Sequence, residues 1–351
     1  MKSLPIRGRG ATYNPRNRFE SLHFEPDAPR GPDDPGPQTR FLRDTSRSIV
    51  ATNSSPDVGF DSSVNPYRGC EHGCVYCYAR PGHEYLGMSA GLDFETKIMV
   101  KERAPELLRE RLASKGWKPQ PLAFSGVTDP YQPIERRLRI TRRCLEVLVE
   151  FRNPATMVTK SHLVTRDIDL LGELAEHRAA LVLVSLTTLD AHLHRIMEPR
   201  AATPARRLDA IRLLSAAGIP VGVLTAPIIP GLNDHEIPAL LEAAAEAGAI
   251  GASYVPLRLP FAVAPLFESW LEEHFPDRKD KVLNKIRGMR GGRLNDPRLM
   301  SRMRGSGVLA DQIDDLFKVS RRKMGLDRPF PQLSVAAFRR PSAGGQLALW
   351  G

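Results

Sequence analysis

Cys70, Cys74 and Cys77 lie in the run Asn65-Pro-Tyr-Arg-Gly-Cys-Glu-His-Gly-Cys-Val-Tyr-Cys-Tyr78, which sets three thiolates a few residues apart. That spacing suits one face of an iron–sulfur cube, where each sulfur binds a different iron. Protein-held clusters usually take four cysteines. Three ligands leave one iron open, so the centre becomes a place where a small molecule can bind metal and receive an electron. Structural zinc sites instead combine two ligand pairs. Only Cys144 remains outside the run, although His72 or His83 could complete a zinc tetrahedron. Cys144 falls in residues 138–151, whose apolar spacing predicts an amphipathic helix, and its expected role is burial as a small hydrophobe. Four cysteines in 351 residues form no secreted disulfide framework, and no apolar leader follows Met1. The expected compartment is the reducing cytoplasm, where thiolate ligands persist.

The chain is long enough to bury one large core or two modest ones. No apolar run reaches the ~18–20 residues of a membrane span, so no membrane partner is expected. The formal charge of +10 is unevenly placed: residues 277–323 carry fourteen Lys or Arg against six Asp. Glycines interrupt this stretch in Lys285-Ile-Arg-Gly-Met-Arg-Gly-Gly-Arg293 and set guanidinium groups beside free backbone amides, a combination suited to phosphate. DNA or RNA is therefore the candidate partner for 277–323, with a solvated helical surface as the alternative.

Several elements must position the cysteine loop. Residues 1–40, rich in Pro, Gly and Arg, read as a flexible basic arm. Residues 41–62 read as an extended or hairpin preface. From 63 to 260, short β-branched runs alternate with amphipathic helices, with strands at 64–67, 122–125, 156–159, 181–185, 220–225 and 252–256. This rhythm predicts an α/β fold with parallel strands and right-handed crossovers, a partial (β/α)6 TIM-like barrel with a doubly wound sheet as its competitor. Ligands of parallel sheets sit at the carboxyl ends of the strands. There the sequence places Ser125-Gly-Val-Thr-Asp129, Thr159-Lys-Ser161 and Ser185-Leu-Thr187. Residues 261–325 read as a basic helical extension, and 326–351 as a C-terminal tail.

The C-x3-C-x2-C motif, with aromatic Tyr76 before its third cysteine, resembles the signature of radical S-adenosylmethionine (SAM) enzymes. Cys-Val-Tyr-Cys-Tyr78, Thr128-Asp-Pro-Tyr-Gln-Pro133, Thr159-Lys160 and Glu198-Pro-Arg200 more narrowly resemble the spore photoproduct lyase-like branch, over about residues 63–260. The resemblance implies a [4Fe–4S] cluster on Cys70, Cys74 and Cys77, with SAM chelating the open iron. Reduction then gives methionine and a 5′-deoxyadenosyl radical, which abstracts hydrogen from a substrate. A flavodoxin- or ferredoxin-like donor is implied as the electron source.

The same resemblance assigns SAM contacts. Ser125, Gly126 and Thr128 would meet the methionine amino end, with Asp129 either accepting from the ammonium or capping the following turn. Lys160 would take the carboxylate, Ser185 the ribose or carboxylate, and Arg200 a bidentate carboxylate contact, with a surface salt bridge as its alternative role. Tyr76 would pack by adenine. Tyr78 would serve as a radical relay or an aromatic wall. The polyanion signal makes a nucleobase in DNA or RNA the first substrate expectation, and a non-catalytic iron–sulfur or zinc nucleic-acid-binding protein is the alternative. One departure stands out: the lyase carries a thiol near strand two that returns hydrogen to its product radical, and 124–129 contains none.

Overall fold

The structure, a computed structural model, describes residues 6–23, 36–124 and 126–341. Its strands, in chain order, are β1 (Arg40–Arg43), β2 (Val50–Thr52), β3 (Ser62–Val64), β4 (Tyr67–Arg68), β5 (Lys97–Val100), β6 (Leu122–Phe124), β7 (Ala155–Thr159), β8 (Ala180–Ser185), β9 (Val221–Ile228) and β10 (Ala252–Pro256). The main sheet runs β10-β9-β8-β7-β6-β3-β2. Its first six members are mutually parallel, and β2 closes one edge antiparallel to β3. The expected six-unit partial barrel is thus present as an open parallel sheet, with the helices Ile140–Phe151, Ile168–Glu176, Pro204–Ala216 and Ile237–Glu246 crossing between strands.

Those strands form where β-branched residues pack on both faces: β8 is Ala-Leu-Val-Leu-Val-Ser, nearly all buried. The helices present apolar faces to them. Ile140, Cys144, Leu145, Leu148 and Phe151 fall on one helical stripe and are buried. Cys144 is fully buried in that core, as its position predicts.

Two expectations need correction. The first strand ends at Val64 rather than Tyr67, because Pro66 has no N–H to continue a ladder. Tyr67–Arg68 instead joins a second small sheet ordered β1-β5-β4, so residues 40–43 pair with 97–100 rather than with the hairpin preface.

The second correction concerns the arm. Its residues 1–5 and 24–35, like tail residues 342–351, lie outside the described residues, but 6–23 are docked against 84–95. Gly10 N and Ala11 N donate to the Glu95 carboxylate at 3.0 and 2.9 Å, Asn17 donates to the Glu84 and Met88 carbonyls, and Ser89 donates to Pro15 O. A Cβ on Gly10 would lie 1.7 Å from Gly73 O, so only glycine permits this approach to the cysteine loop. Composition suggested disorder because the arm lacks apolar periodicity; backbone-to-carboxylate hydrogen bonds hold it instead.

The basic extension is also partly internal. Arg290 is buried and donates to four carbonyls, those of Pro256, Leu257, Ser301 and Arg302, at 2.7–3.3 Å. Burial, then the nearby Arg258 charge, pulls its guanidinium down to about 10. Arg298 is taken by Asp296 and Arg302 by Asp57. The expected polyanion surface at 277–323 therefore excludes Arg290, while Arg293 is exposed. Arg290→Met should lower stability by about 3 kcal/mol through orphaned carbonyls. Arg293→Glu should leave the urea midpoint within error.

Candidate active site

The cysteine loop is pinned by donors from both sides. Cys70 N donates to Phe94 O at 2.9 Å, Gln132 donates to Gly69 O and receives Glu71 N, and Val75 N donates to Met197 O. Arg80, fully buried, donates to Cys74 O, Gly73 O, Ala90 O and Gly91 O and pairs with Glu95 at 2.5 Å. One guanidinium thus ties the loop to the segment that receives the arm. The three sulfurs come from this rigid frame rather than from regular secondary structure.

Cys70, Cys74 and Cys77 line one cavity of about 640 Å³ at the carboxyl ends of the parallel strands. Gly126 and Thr128 after β6, Lys160 after β7, Ser185 at the end of β8, Pro227 in β9 and Arg258 after β10 share its wall. Burial pushes all three thiols up, Cys74 to about 12, with Asp129 adding to the effect at Cys70 and Glu198 at Cys74. A wall of desolvated thiols favours a cationic centre that stabilises them as thiolates. Among the described residues no three His, Cys, Asp or Glu side chains converge on a single-ion position. A cube binds each sulfur through a separate iron and needs no such convergence. The donor set and its cavity fit a cluster held by three cysteines with space on its open side.

Each of the other expected site residues has a definite place, except Ser125, which lies outside the described residues. The Tyr76 ring lines the cavity while its hydroxyl, buried, donates to Glu198. Lys160 Nζ stands 5.8 Å from the Tyr76 ring. Thr128 lines the cavity but spends its hydroxyl proton on Tyr67 O at 3.0 Å. Tyr78 is half exposed at the mouth and donates to Gly126 O at 3.0 Å.

Two expected contact residues are engaged within the chain, Asp129 while lining the cavity and Arg200 away from it. Asp129 receives Tyr131 N and Thr159 Oγ1 on one oxygen, and Lys160 N and His72 Nδ1 on the other, at 2.7–3.4 Å. All of its lone-pair sites are filled by the chain, so it ties β7 to the cysteine loop and has no vacancy for a ligand ammonium. Burial alone would raise its carboxyl, but His72 and these donors hold it below the ordinary range. Arg200 pairs with Glu71 at 3.0 Å and borders a separate groove with Arg7, Arg9 and Arg137. For both, the alternative role is the one seen: Asp129 caps the turn through Tyr131 N, and Arg200 makes a salt bridge, with Glu71.

Arg207 was not anticipated, and Glu198 entered only within the Glu198-Pro-Arg200 segment, with no role of its own. Glu198 is fully buried, accepts from Tyr76, Thr187 and Arg207, and sits beneath the cysteine loop. Burial would raise it, yet Arg207 foremost, with Lys160, holds it down to about 2. Arg207 carried a legible signal: it shares a helical stripe with Ala210, Ile211 and Leu214, all buried. A cation on an apolar stripe calls for a buried acid.

The radical SAM superfamily pattern matches residues 64–244. The chain belongs to the radical SAM superfamily. An uncharacterised protein of Mycobacterium tuberculosis is 37% identical over 232 residues, covering 65% of this chain and 68% of that protein. The radical SAM Nalpha-GlyT isomerase of Pseudomonas phage M6 is 27% identical over 230 residues, covering 64% of this chain and 45% of the isomerase. Among solved structures, spore photoproduct lyase complexed with dinucleoside spore photoproduct superposes with TM-score 0.59 over 81% of this chain and 79% of that one, at 15% identity. The radical SAM fold here is thus that of spore photoproduct lyase. The superfamily's cofactors are a [4Fe–4S] cluster and SAM, and Cys70, Cys74 and Cys77 carry its motif. No helix among the described residues is long and apolar enough to cross a membrane.

Proposed function

We propose that this radical SAM enzyme acts on a nucleobase in DNA or RNA, in the cytoplasm, with a flavodoxin- or ferredoxin-like protein as electron donor. The cluster and SAM supply a 5′-deoxyadenosyl radical when bound; the residues of the chain bind, orient and shield. Lys160, partly buried in the cavity wall, offers the methionine carboxylate an ammonium for a charge-assisted hydrogen bond. Gly126 lets the ligand approach bare backbone, Ser185 offers a hydroxyl, and the Tyr76 ring is held as a wall by Glu198. Tyr78, fixed by Gly126 O, stands at the mouth as an aromatic wall.

The observation that carries this reading is the shared cavity: three motif thiols and the polar strand ends open to one mouth. The nucleobase part is supported by the dinucleoside in the similar lyase structure and by the aromatic and cationic mouth. Cys144 is buried away from the cavity, so no thiol besides the three ligands lines it. A hydrogen return like the lyase's would need a different donor here.

Lys160→Ala should weaken SAM binding roughly 10- to 100-fold, the worth of one charge-assisted hydrogen bond, with cluster absorbance unchanged. Equilibrium dialysis of SAM against the reconstituted variant checks this. For the substrate, reduced enzyme with SAM is incubated with DNA or RNA deuterated in its bases. Deuterium in 5′-deoxyadenosine supports the nucleobase reading. 5′-Deoxyadenosine formed without deuterium from either polymer contradicts it.

A further inference from the structure

Among the described residues, the mouth of the cavity holds a cation with no anion paired to it. Arg258, leaving β10, lines it beside Tyr78, its guanidinium carbon 5.8 Å from the Tyr78 ring centre. Its Nε is buried with no hydrogen-bond partner, and its Nη1 meets only the Met303 sulfur, at 3.2 Å. The neighbouring Arg302 is satisfied: Asp57 and Ser55 of the β2–β3 connection take its guanidinium, and Asp57 also takes Met300 N. The Asp57 carboxylate that Arg258 feels is therefore already engaged. Burial, then Arg302, lowers the Arg258 guanidinium below its ordinary value, the condition in which an incoming anion is most stabilising.

The placement of Arg258 is fixed from behind. Arg290 holds the carbonyls of Pro256 and Leu257, so the strand end presenting Arg258 is anchored to the C-terminal extension. Around it the mouth is aromatic. Tyr78 donates to Gly126 O, and the Phe60 ring edge stands 3.5 Å from where a Gly126 Cβ would lie. Two rings flanking a bare glycine, beside an unpaired guanidinium, combine base-stacking faces with a phosphate donor.

We propose that Arg258 is the anion subsite of the mouth and takes the phosphodiester beside the target nucleotide, whose base lies between Tyr78 and Phe60. This rests on the nucleobase reading above and names what that reading leaves open, the group by which the polymer is gripped at the cavity. Lys160 stands beside the buried Tyr76, so the two cations serve different ligands.

The test uses the full chain with its cluster reconstituted and SAM bound, unreduced so that nothing turns over. Calorimetry compares thymidylyl-thymidine, its uncharged methylphosphonate, inorganic phosphate and acetate on wild type, Arg258→Gln and Arg258→Lys. The expected result is a roughly tenfold preference for the charged over the uncharged dinucleotide at one Arg258-like charge contact. Arg258→Gln should abolish that preference while binding the methylphosphonate as wild type does, which also shows that the variant is folded; Arg258→Lys should keep part of it. Equal binding of both dinucleotides by wild type, or an undiminished preference in Arg258→Gln, overturns the subsite and leaves the nucleobase reading standing. Failure of both dinucleotides, with Arg258-dependent binding of phosphate or acetate, keeps an anion subsite but rejects both the phosphodiester and the nucleobase. No binding of any probe overturns both.

Discussion

Cys74→Ala is expected to abolish both the cluster and SAM cleavage. Cys74 is buried in the cavity wall, and its carbonyl is held by two nitrogens of Arg80, so the loop around it keeps its shape when the sulfur is removed. The loss is then of one ligand in three, not of the fold. Even an outer partner of a metal site is worth roughly 10- to 100-fold in affinity, and a direct ligand is worth more, so bound iron and 5′-deoxyadenosine should each fall by about 100-fold or beyond. Cys144→Ala provides the contrast. That thiol is packed in the core between sheet and helix, so its removal should cost about 1 kcal/mol or more of stability and leave iron content intact. Iron analysis and the cluster's visible absorbance distinguish the two variants directly.

The largest effect on stability is expected at Glu198 and Arg207. Both are buried, and they pair directly, with Tyr76 and Thr187 donating to the same carboxylate. Removing one charge strands the other, which typically costs about 3–5 kcal/mol. Glu198→Gln should therefore shift the urea midpoint strongly downward. The double variant Glu198→Gln, Arg207→Met should recover part of the loss, because no unpaired charge remains. A pH series gives an independent check. The carboxyl is depressed from 4.5 to about 2, so its contribution is fully present above the unfolded value and is lost as pH falls through that window. Wild type should lose this component on acidification and Glu198→Gln should lack it. Identical acid unfolding curves would show that the pair contributes nothing of this size.

Much of this site was legible in the chain because its logic is local. The cysteine spacing, the strand and helix rhythm, and the polar residues after the strands are short-range signals, and the fold places Gly126, Thr128, Lys160 and Ser185 around one cavity. What escaped depends on partners distant in sequence. Besides its near neighbour Tyr131, Asp129 is filled by donors from His72, Thr159 and Lys160, and Arg200 is drawn to Glu71. Arg290 looked like a surface cation because its glycine-rich surroundings break helical periodicity, yet four distant carbonyls bury it. The arm misled for a related reason: burial usually follows apolar content, whereas Gly10 and Ala11 dock through backbone amides on Glu95.

The same long-range partners organise the chemistry. Arg80 with Glu95 holds the cysteine loop at the Gly73 and Cys74 carbonyls, Glu198 with Arg207 holds it at the Tyr76 hydroxyl, and neither pair contributes a ligand. Their work is to keep three sulfurs and one aromatic ring in place while the cavity admits cofactor and substrate. Preorganisation of this kind limits the freedom of a reactive species and keeps water from it.

The most direct measurement is product analysis of the reconstituted protein under dithionite and SAM, without oxygen. The account predicts methionine and 5′-deoxyadenosine in equal amounts, formed by wild type and absent with Cys74→Ala. A fully iron-loaded, demonstrably reduced wild-type protein that binds SAM and releases neither product would contradict it.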